Sequence, residues 1–321
     1  MAQNGKAKTL RYPRRKHSSQ VTPLSHRKSP SGFKILSRLA EQVRGEGTEI
    51  DLSRRALIMG ILNITPDSFS DGGRFLDPDQ AIRHAKEMVA AGADLIDVGG
   101  ESTRPGAEPI SSEEELRRVI PVIERLSQEI PVPVSIDTYK ADVARKAIQA
   151  GARWVNDISA LRFDMKMADL IAESQAPVIL MHMKGTPMDM QRDPHYESVI
   201  SEIYSFLGER IEFAVSAGIR WEQIIIDPGI GFGKRTQDNL MILAGLERFK
   251  TLGRPILLGT SRKSFIGRVL GLPSEDRLEG TAATLVIGLM KGARIFRVHD
   301  VGQAVRVIRT AEAVLHEEQK C

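Results

Sequence analysis

Residues 57–73 read LIMGILNITPDSFSDGG. The stretch opens as an apolar run that has the length and composition of a strand buried on both faces, stops at Asn63, and then turns into Thr, Pro, Asp, Ser and paired glycines. A buried strand that ends in a polar residue and a flexible loop is how a parallel barrel presents chemistry at a strand's C-terminal end. Downstream the same pattern, an apolar run and then a polar stop, recurs seven more times.

The eight runs cover residues 56–63, 93–99, 132–136, 153–158, 177–181, 223–226, 255–258 and 293–298. Each is followed by a segment of helical period: residues 79–91, 112–128, 140–150, 165–174, 197–217 and 237–249, the two pieces 264–269 and 278–291, and 301–316. The second of these starts on a serine cap, Ser111 or Ser112, ahead of Glu113–Glu115. Strict β-then-α alternation predicts a parallel sheet, and eight units predict an α/β fold of the closed (β/α)8 TIM barrel class. An open doubly wound sheet would need a phosphate-binding first turn, and the first turn here lacks both the glycine spacing and an immediate helix start. Ahead of the units, residues 33–45 have the pattern of a short amphipathic helix. Residues 48–52 alternate as an edge strand does, in a hairpin that plugs the barrel's bottom.

The net charge of +4 is unevenly spread. Residues 1–40 hold ten of the 45 lysines and arginines and none of the 41 acids, so without them the balance is −6. Residues 1–45 are therefore read as a basic, disordered extension and 46–318 as the barrel domain. Such a tail is most simply solvated; the minor readings are nucleic-acid contact or a transit sequence. One cysteine, Cys321, excludes an internal disulfide and a cysteine-rich zinc site and suits a reducing, cytoplasmic setting. No apolar run approaches the roughly 20 residues a membrane span needs, so no membrane partner is expected.

The strand ends carry Asn63; Glu101, Thr103 and Arg104; Asp137; Asn156 and Asp157; His182 and Met183; Asp227; Ser261, Arg262 and Lys263; and Arg297 with His299. In a barrel these positions converge on one funnel. Asn63, Arg297 and His299 come from neighbouring strands, and an amide oxygen, a guanidinium fork and an imidazole suit a phosphate or diphosphate with Mg2+. Asp137, Asn156, Asp227 and Lys263 can read the donor and acceptor edge of a flat, nitrogen-rich heterocycle; a buried acid pair can alternatively perform general acid–base work. Residues 229–234 imitate a nucleotide-binding loop but lack the full dinucleotide spacing and the Lys-Ser/Thr ending of a P-loop. His182 reads equally as site lining or as a core histidine.

Taken in order, residues 57–73, GGESTRPG at 99–106, SIDT at 135–138, Asn156-Asp157, MHM at 181–183, DPGIGFGK at 227–234, GTSRKSFIG at 259–267 and RVHD at 297–300 closely resemble the dihydropteroate synthases of folate biosynthesis. The match runs from about residue 50 to 316. This resemblance implies a transferase that condenses 6-hydroxymethyl-7,8-dihydropterin diphosphate with 4-aminobenzoate, with Mg2+, and that sulfonamides compete with the second substrate. It further implies Asp137, Asn156, Asp227, Lys263, Met183 and Phe232 around the pterin, with Asp137, Asp227 and Lys263 catalytic. Asn63, Thr103, Arg297 and His299 then hold the diphosphate, Asn63 being the metal ligand. Phe69, Thr103, Arg104, Pro105 and Ser264 receive the 4-aminobenzoate, under lids at 65–73 and 102–106. A homodimer through the later helices follows from the same resemblance. A related pterin-binding methyltransferase would have no use for Asn63, the STRPG loop, Ser264 or the Arg297/His299 pair.

Overall fold

The computed structural model describes residues 42–45, 48–65 and 78–318. Two short strands, β1 (Gln42–Gly45) and β2 (Thr48–Asp51), pair antiparallel as a hairpin. The eight runs then form β3 (Leu57–Asn63), β4 (Leu95–Gly99), β5 (Val134–Asp137), β6 (Trp154–Asp157), β7 (Val178–Met181), β8 (Ile224–Asp227), β9 (Ile256–Leu258) and β10 (Ala293–Val298). All eight are parallel and in sequential order, and β10 closes onto β3. The expected (β/α)8 barrel is the observed fold.

Around it lie α1 (Pro78–Ala90), α2 (Ser112–Glu129), α3 (Ala141–Gln149), α4 (Lys166–Ser174), α5 (Val199–Ser216), α6 (Thr236–Ala244), α7 (Ser264–Leu270), α8 (Leu278–Met290) and α9 (Val301–Glu318). Ser111 is the cap of α2, its hydroxyl accepting from the Glu114 N–H at 3.2 Å. The helix expected over 237–249 is instead broken at Gly245 and resumes as a 3-10 segment, Leu246–Leu252.

Because strand side chains alternate, one set of residues faces the helices and the other fills the barrel. Ile58, Ile96, Val98, Val155, Leu180, Ile226, Leu258 and Phe296 join the helices in the outer core. Leu57, Met59, Leu95, Trp154, Ile179, Ile225, Leu257 and Ile295 meet inside, and Val43, Ile50 and Leu52 of the hairpin pack onto them from below. So the hairpin does plug the bottom. The segment 42–45, read above as the end of a helix, is a strand, because Val43 has a barrel interior to fill and its backbone pairs with β2. Residues 33–41, and the basic stretch as a whole, lie outside the described residues. Arg254 fastens the plug: its Nε donates to the Ile224 carbonyl at 2.8 Å and an Nη to that of Gln42 at 3.3 Å, while its guanidinium lies over Trp221.

Candidate active site

Two residues further along the inward-facing register the interior changes character. Leu95, Trp154, Ile225 and Ile295 give way to Asp97, Asn156, Asp227 and Arg297 on the same strands, and Asp137 follows Ser135 on β5. Arg297 sits at the centre. Its Nε donates to Asp97 Oδ2 at 2.6 Å and one Nη donates to Asp137 Oδ2 at 2.7 Å. Asn156 Nδ2 donates to the same Asp97 oxygen at 3.0 Å. The second oxygens of both acids, Asp97 Oδ1 and Asp137 Oδ1, are buried with no hydrogen-bond partner among the described residues. Buried polar atoms are rarely left this way in a finished core, so both are free to meet a ligand's donors.

Burial pushes the Asp137 carboxyl up, to about 7, against the pull of the Arg297 guanidinium. Asp227 is raised to about 6 by burial, although it accepts from the Gly229 N–H at 2.7 Å and feels Lys263. Lys263 is lowered to about 8 by burial, with Arg297 adding to the effect and the acids opposing it. Its ammonium stands 4.0 Å from the centre of the Phe232 ring. Phe232 belongs to a small apolar cluster at the strand ends with Ile158, Met181, Met183 and Met190, against which Tyr139 packs. Asp137, Asn156, Asp227, Lys263, Met183 and Phe232 therefore come together at one mouth, as expected.

The diphosphate candidates occupy the adjoining arc. β3 is flanked by β10 and β4, which brings Asn63 between His299 and the loop bearing Thr103. Gly99 lies against Asn63 and Asp137: a Cβ there would be in contact with both, 3.7 Å from Asn63 Oδ1 and from Asp137 Oδ2. The Ser261 hydroxyl accepts from the His299 backbone N–H at 3.1 Å and lies 3.0 Å from His299 Nδ1. Its single proton can then go to Nδ1, which leaves Nε2–H as the ring's donor. Burial and the nearby guanidinium of Arg297 depress this imidazole to about 4, so it is a neutral donor at pH 7. Arg297 is more committed than the sequence suggested: two of its three nitrogens already serve acids, and it joins the pterin wall to the diphosphate arc.

The loop after β4 is anchored from beneath. Glu101 accepts from the Tyr139 hydroxyl at 2.6 Å, from the Ile110 N–H at 3.2 Å, and from Lys140, which also pairs with buried Glu115 at 2.6 Å. Across the mouth the Gly106 N–H donates to the Pro187 carbonyl at 2.9 Å. Arg104 and Pro105 are exposed on this loop, Thr103 is half-buried, and Ser264 is exposed at the first position of α7. Phe69 and the remainder of the first lid, from Pro66 on, lie outside the described residues.

Three expectations need correction. Not every polar strand end faces the funnel, because neighbouring residues on a strand point to opposite sides. Asp157, beside inward Asn156, accepts instead from the Ser159 and Leu161 N–H groups at 2.7 Å each and shapes a turn in which Ala160 and Leu161 are left-handed. His182 turns outward, edge-on to Phe206 of α5, and contacts Lys234. Arg262, exposed and left-handed at φ 57°, pairs with Asp300 outside the funnel.

Asp97 was missed. It lies two residues before the end of its strand, and the clue was an acid at an inward position of an apolar run, LIDVG.

The model of the pterin binding enzyme family matches residues 59–299. A dihydropteroate synthase from Bacillus subtilis is 50% identical over 268 residues, 84% of this chain and 92% of the relative. The fold superposes on the dihydropteroate synthase of Yersinia pestis, solved with a sulfonamide drug, with a TM-score of 0.81 and 45% identity, covering 86% of this chain and 99% of that one. The Xanthomonas albilineans enzyme, solved with 4-aminobenzoic acid, gives 0.81 and 45%, with coverage of 86% and 98%.

Proposed function

This chain belongs to the pterin-binding enzymes, among the dihydropteroate synthases, and from that premise we propose how its residues divide the reaction between them. The enzyme condenses 6-hydroxymethyl-7,8-dihydropterin diphosphate with 4-aminobenzoate to give 7,8-dihydropteroate and diphosphate. The observation that carries the residue assignment is the pair of buried, unpartnered oxygens, Asp97 Oδ1 and Asp137 Oδ1, beside Asn156, Asp227 and Lys263. Pterin N–H groups are the donors such oxygens require, and Asp227, Asn156 and Lys263 read the rest of the ring edge. Phe232, Met183 and the apolar cluster shield its faces.

Departure of diphosphate leaves a methylene cation delocalised into the electron-rich ring. Ionised Asp137, with Asp97 behind it, stabilises that cation, and Lys263 and Asp227 fix the ring that bears it. His299 Nε2–H, Thr103 and the free edge of Arg297 hold the leaving diphosphate. The aryl amine then attacks the methylene carbon, and the ammonium so formed loses its proton to solvent. The amine needs orientation more than a base, and Arg104, Pro105, Phe69 and Ser264 provide its pocket.

Among the described residues no group of three His, Cys, Asp or Glu side chains could cage a metal. The hard oxygen of Asn63, which a Cβ on Gly99 would touch at 3.7 Å, would be the protein's ligand to a Mg2+ brought with the diphosphate. Bound there, Mg2+ supplies charge neutralisation to the leaving group. We further propose that residues 46–318 form the barrel domain, to which β1 of the hairpin adds, and that two copies pair. Exposed Leu240, Met241, Val269, Leu270, Ile287 and Met290 on the mutually packed α6, α7 and α8 support that pairing. Among the described residues no helix is long and apolar enough to cross a membrane, and the setting proposed is cytoplasmic. Nucleic-acid contact by the basic tail stays the minor reading.

The test is diphosphate release from the pterin diphosphate by purified protein, with and without 4-aminobenzoate and Mg2+. Release that depends on both, with dihydropteroate as product, supports the assignment. Tight pterin binding without release under any condition overturns it. Sedimentation at micromolar concentration tests the dimer.

A further inference from the structure

Lys234 is buried, and among the described residues it has no carboxylate hydrogen-bond partner, although Asp227 and Asp238 attract its charge from further off. Its Nζ lies 2.9 Å from the Phe232 carbonyl, 3.2 Å from the His182 carbonyl and 2.9 Å from His182 Nδ1. A buried lysine without an ion pair is costly, so a fold keeps one only where its donors do something a hydrocarbon cannot. The partners come from two segments: the residue after β7, and the loop 228–234 after β8. As an ammonium, Lys234 fills all three acceptors. As an amine it keeps both carbonyls and accepts from a Nδ1–H of His182, so the link survives either protonation state.

That loop is unusual in shape. Gly229, Gly231 and Gly233 all have positive φ, and a Cβ on Gly229 or Gly233 would collide with the carbonyl oxygens of His182 and Lys184. The loop is thus pressed against the end of β7, and it delivers two things to the mouth. Phe232 places its ring 4.0 Å from Lys263 Nζ, and Gly231 runs along the Lys263 stem, where a Cβ would lie 3.0 Å from Cδ. The loop is also held by Gln191, Tyr196 and Asn239 through Gly231 and Gly233. At Phe232 the N–H donates to the Gly229 carbonyl at 3.1 Å within the loop, and the carbonyl accepts from Lys234.

We propose that Lys234 is a positioning residue for the pterin half of the site: through His182 it clamps the glycine loop to β7 and so fixes Phe232 and the Lys263 ammonium. This rests on the synthase reading above. Lys234→Met keeps the length of the stem and loses the donors. With the loss of charge-assisted hydrogen bonds, KM for the pterin diphosphate rises about tenfold, while KM for 4-aminobenzoate stays within about twofold and kcat within about threefold. A pterin KM within about twofold of wild type in the folded variant overturns the proposal, as does a common loss in all three parameters, which marks a merely structural lysine.

Should Lys234→Met not fold, His182 gives the same reading. Both His182→Asn and His182→Leu keep the backbone carbonyl that Lys234 reaches, but only His182→Asn keeps a side-chain acceptor in place of Nδ1, so the pterin KM rises in the second and is restored toward wild type in the first. Equal values in the two overturn the proposal. A wild-type protein that never turns over the pterin diphosphate fails the synthase reading instead, and the two failures are told apart by that control.

Discussion

The lower and upper interior layers of the barrel lie two residues apart on the same strands, and they are opposites. Below, Leu95, Trp154, Ile179, Ile225 and Ile295 make a dry apolar floor closed by the hairpin. Above, Asp97, Asn156, Asp227 and Arg297 gather charge in a site that is nearly as buried. Each floor side chain contributes on the order of 1.5–3 kcal/mol by leaving water. Each upper charge costs several kcal/mol to desolvate, and Arg297 offsets only part of that for the acids it touches. The stability of the floor offsets the strain of the site, and a period of two is all that separates them.

The sharpest way to break this contrast is to neutralise one acid of the upper layer. Asp137→Asn removes the charge proposed to face the methylene cation, and kcat/KM should fall about 10³-fold, as when a preorganised electrostatic group is deleted, with thermal stability held or raised. A fall under about tenfold in a steady-state assay would mean that the upper layer is scaffold too. The converse experiment is Ile225→Ala in the floor. It should cost about 3 kcal/mol in denaturant unfolding while kcat/KM, measured where the variant is folded, changes by less than about threefold.

Proton titration sharpens the comparison without a mutation. Asp137 and Asp227 have folded values raised to about 7 and about 6, so they gain protons as the pH falls through that window. Their ionised forms do the work, so kcat/KM for the pterin substrate declines on the acid side. Lys263, lowered to about 8, loses its ammonium as the pH rises past that value. The profile should therefore be a bell with limbs near 6–7 and 8, and a flat profile from 5.5 to 9 would remove these three groups from the reaction. The smallest effect is expected at the rim. Lys140→Met frees Glu101 and loosens the loop bearing Thr103 and Arg104, so KM for 4-aminobenzoate should rise about threefold to fivefold with the pterin KM unmoved.

The barrel was legible because eight apolar runs of strand length alternate with eight helical segments, a pattern few folds share. The site was legible where polar residues interrupt the ends of those runs, as at Asp137, Asn156 and Asp227. Legibility failed where facing direction mattered. Asp157 and His182 stand beside residues of the candidate site in sequence but turn away from it, and Asp97 faces it from within its strand. The commitments of Arg297 were hidden for a different reason: its acids lie 200 and 160 residues away in sequence, and only barrel closure brings them together.

The hairpin at the floor has one more consequence. Gln42, the first residue of β1, is bonded to Arg254 at the end of the barrel opposite the mouth. Whatever is joined to the chain ahead of that strand is connected at the rear of the catalyst. A bead, a surface or a second enzyme attached at Gln42 itself would be joined at the end opposite the opening, which leaves both substrates their way in.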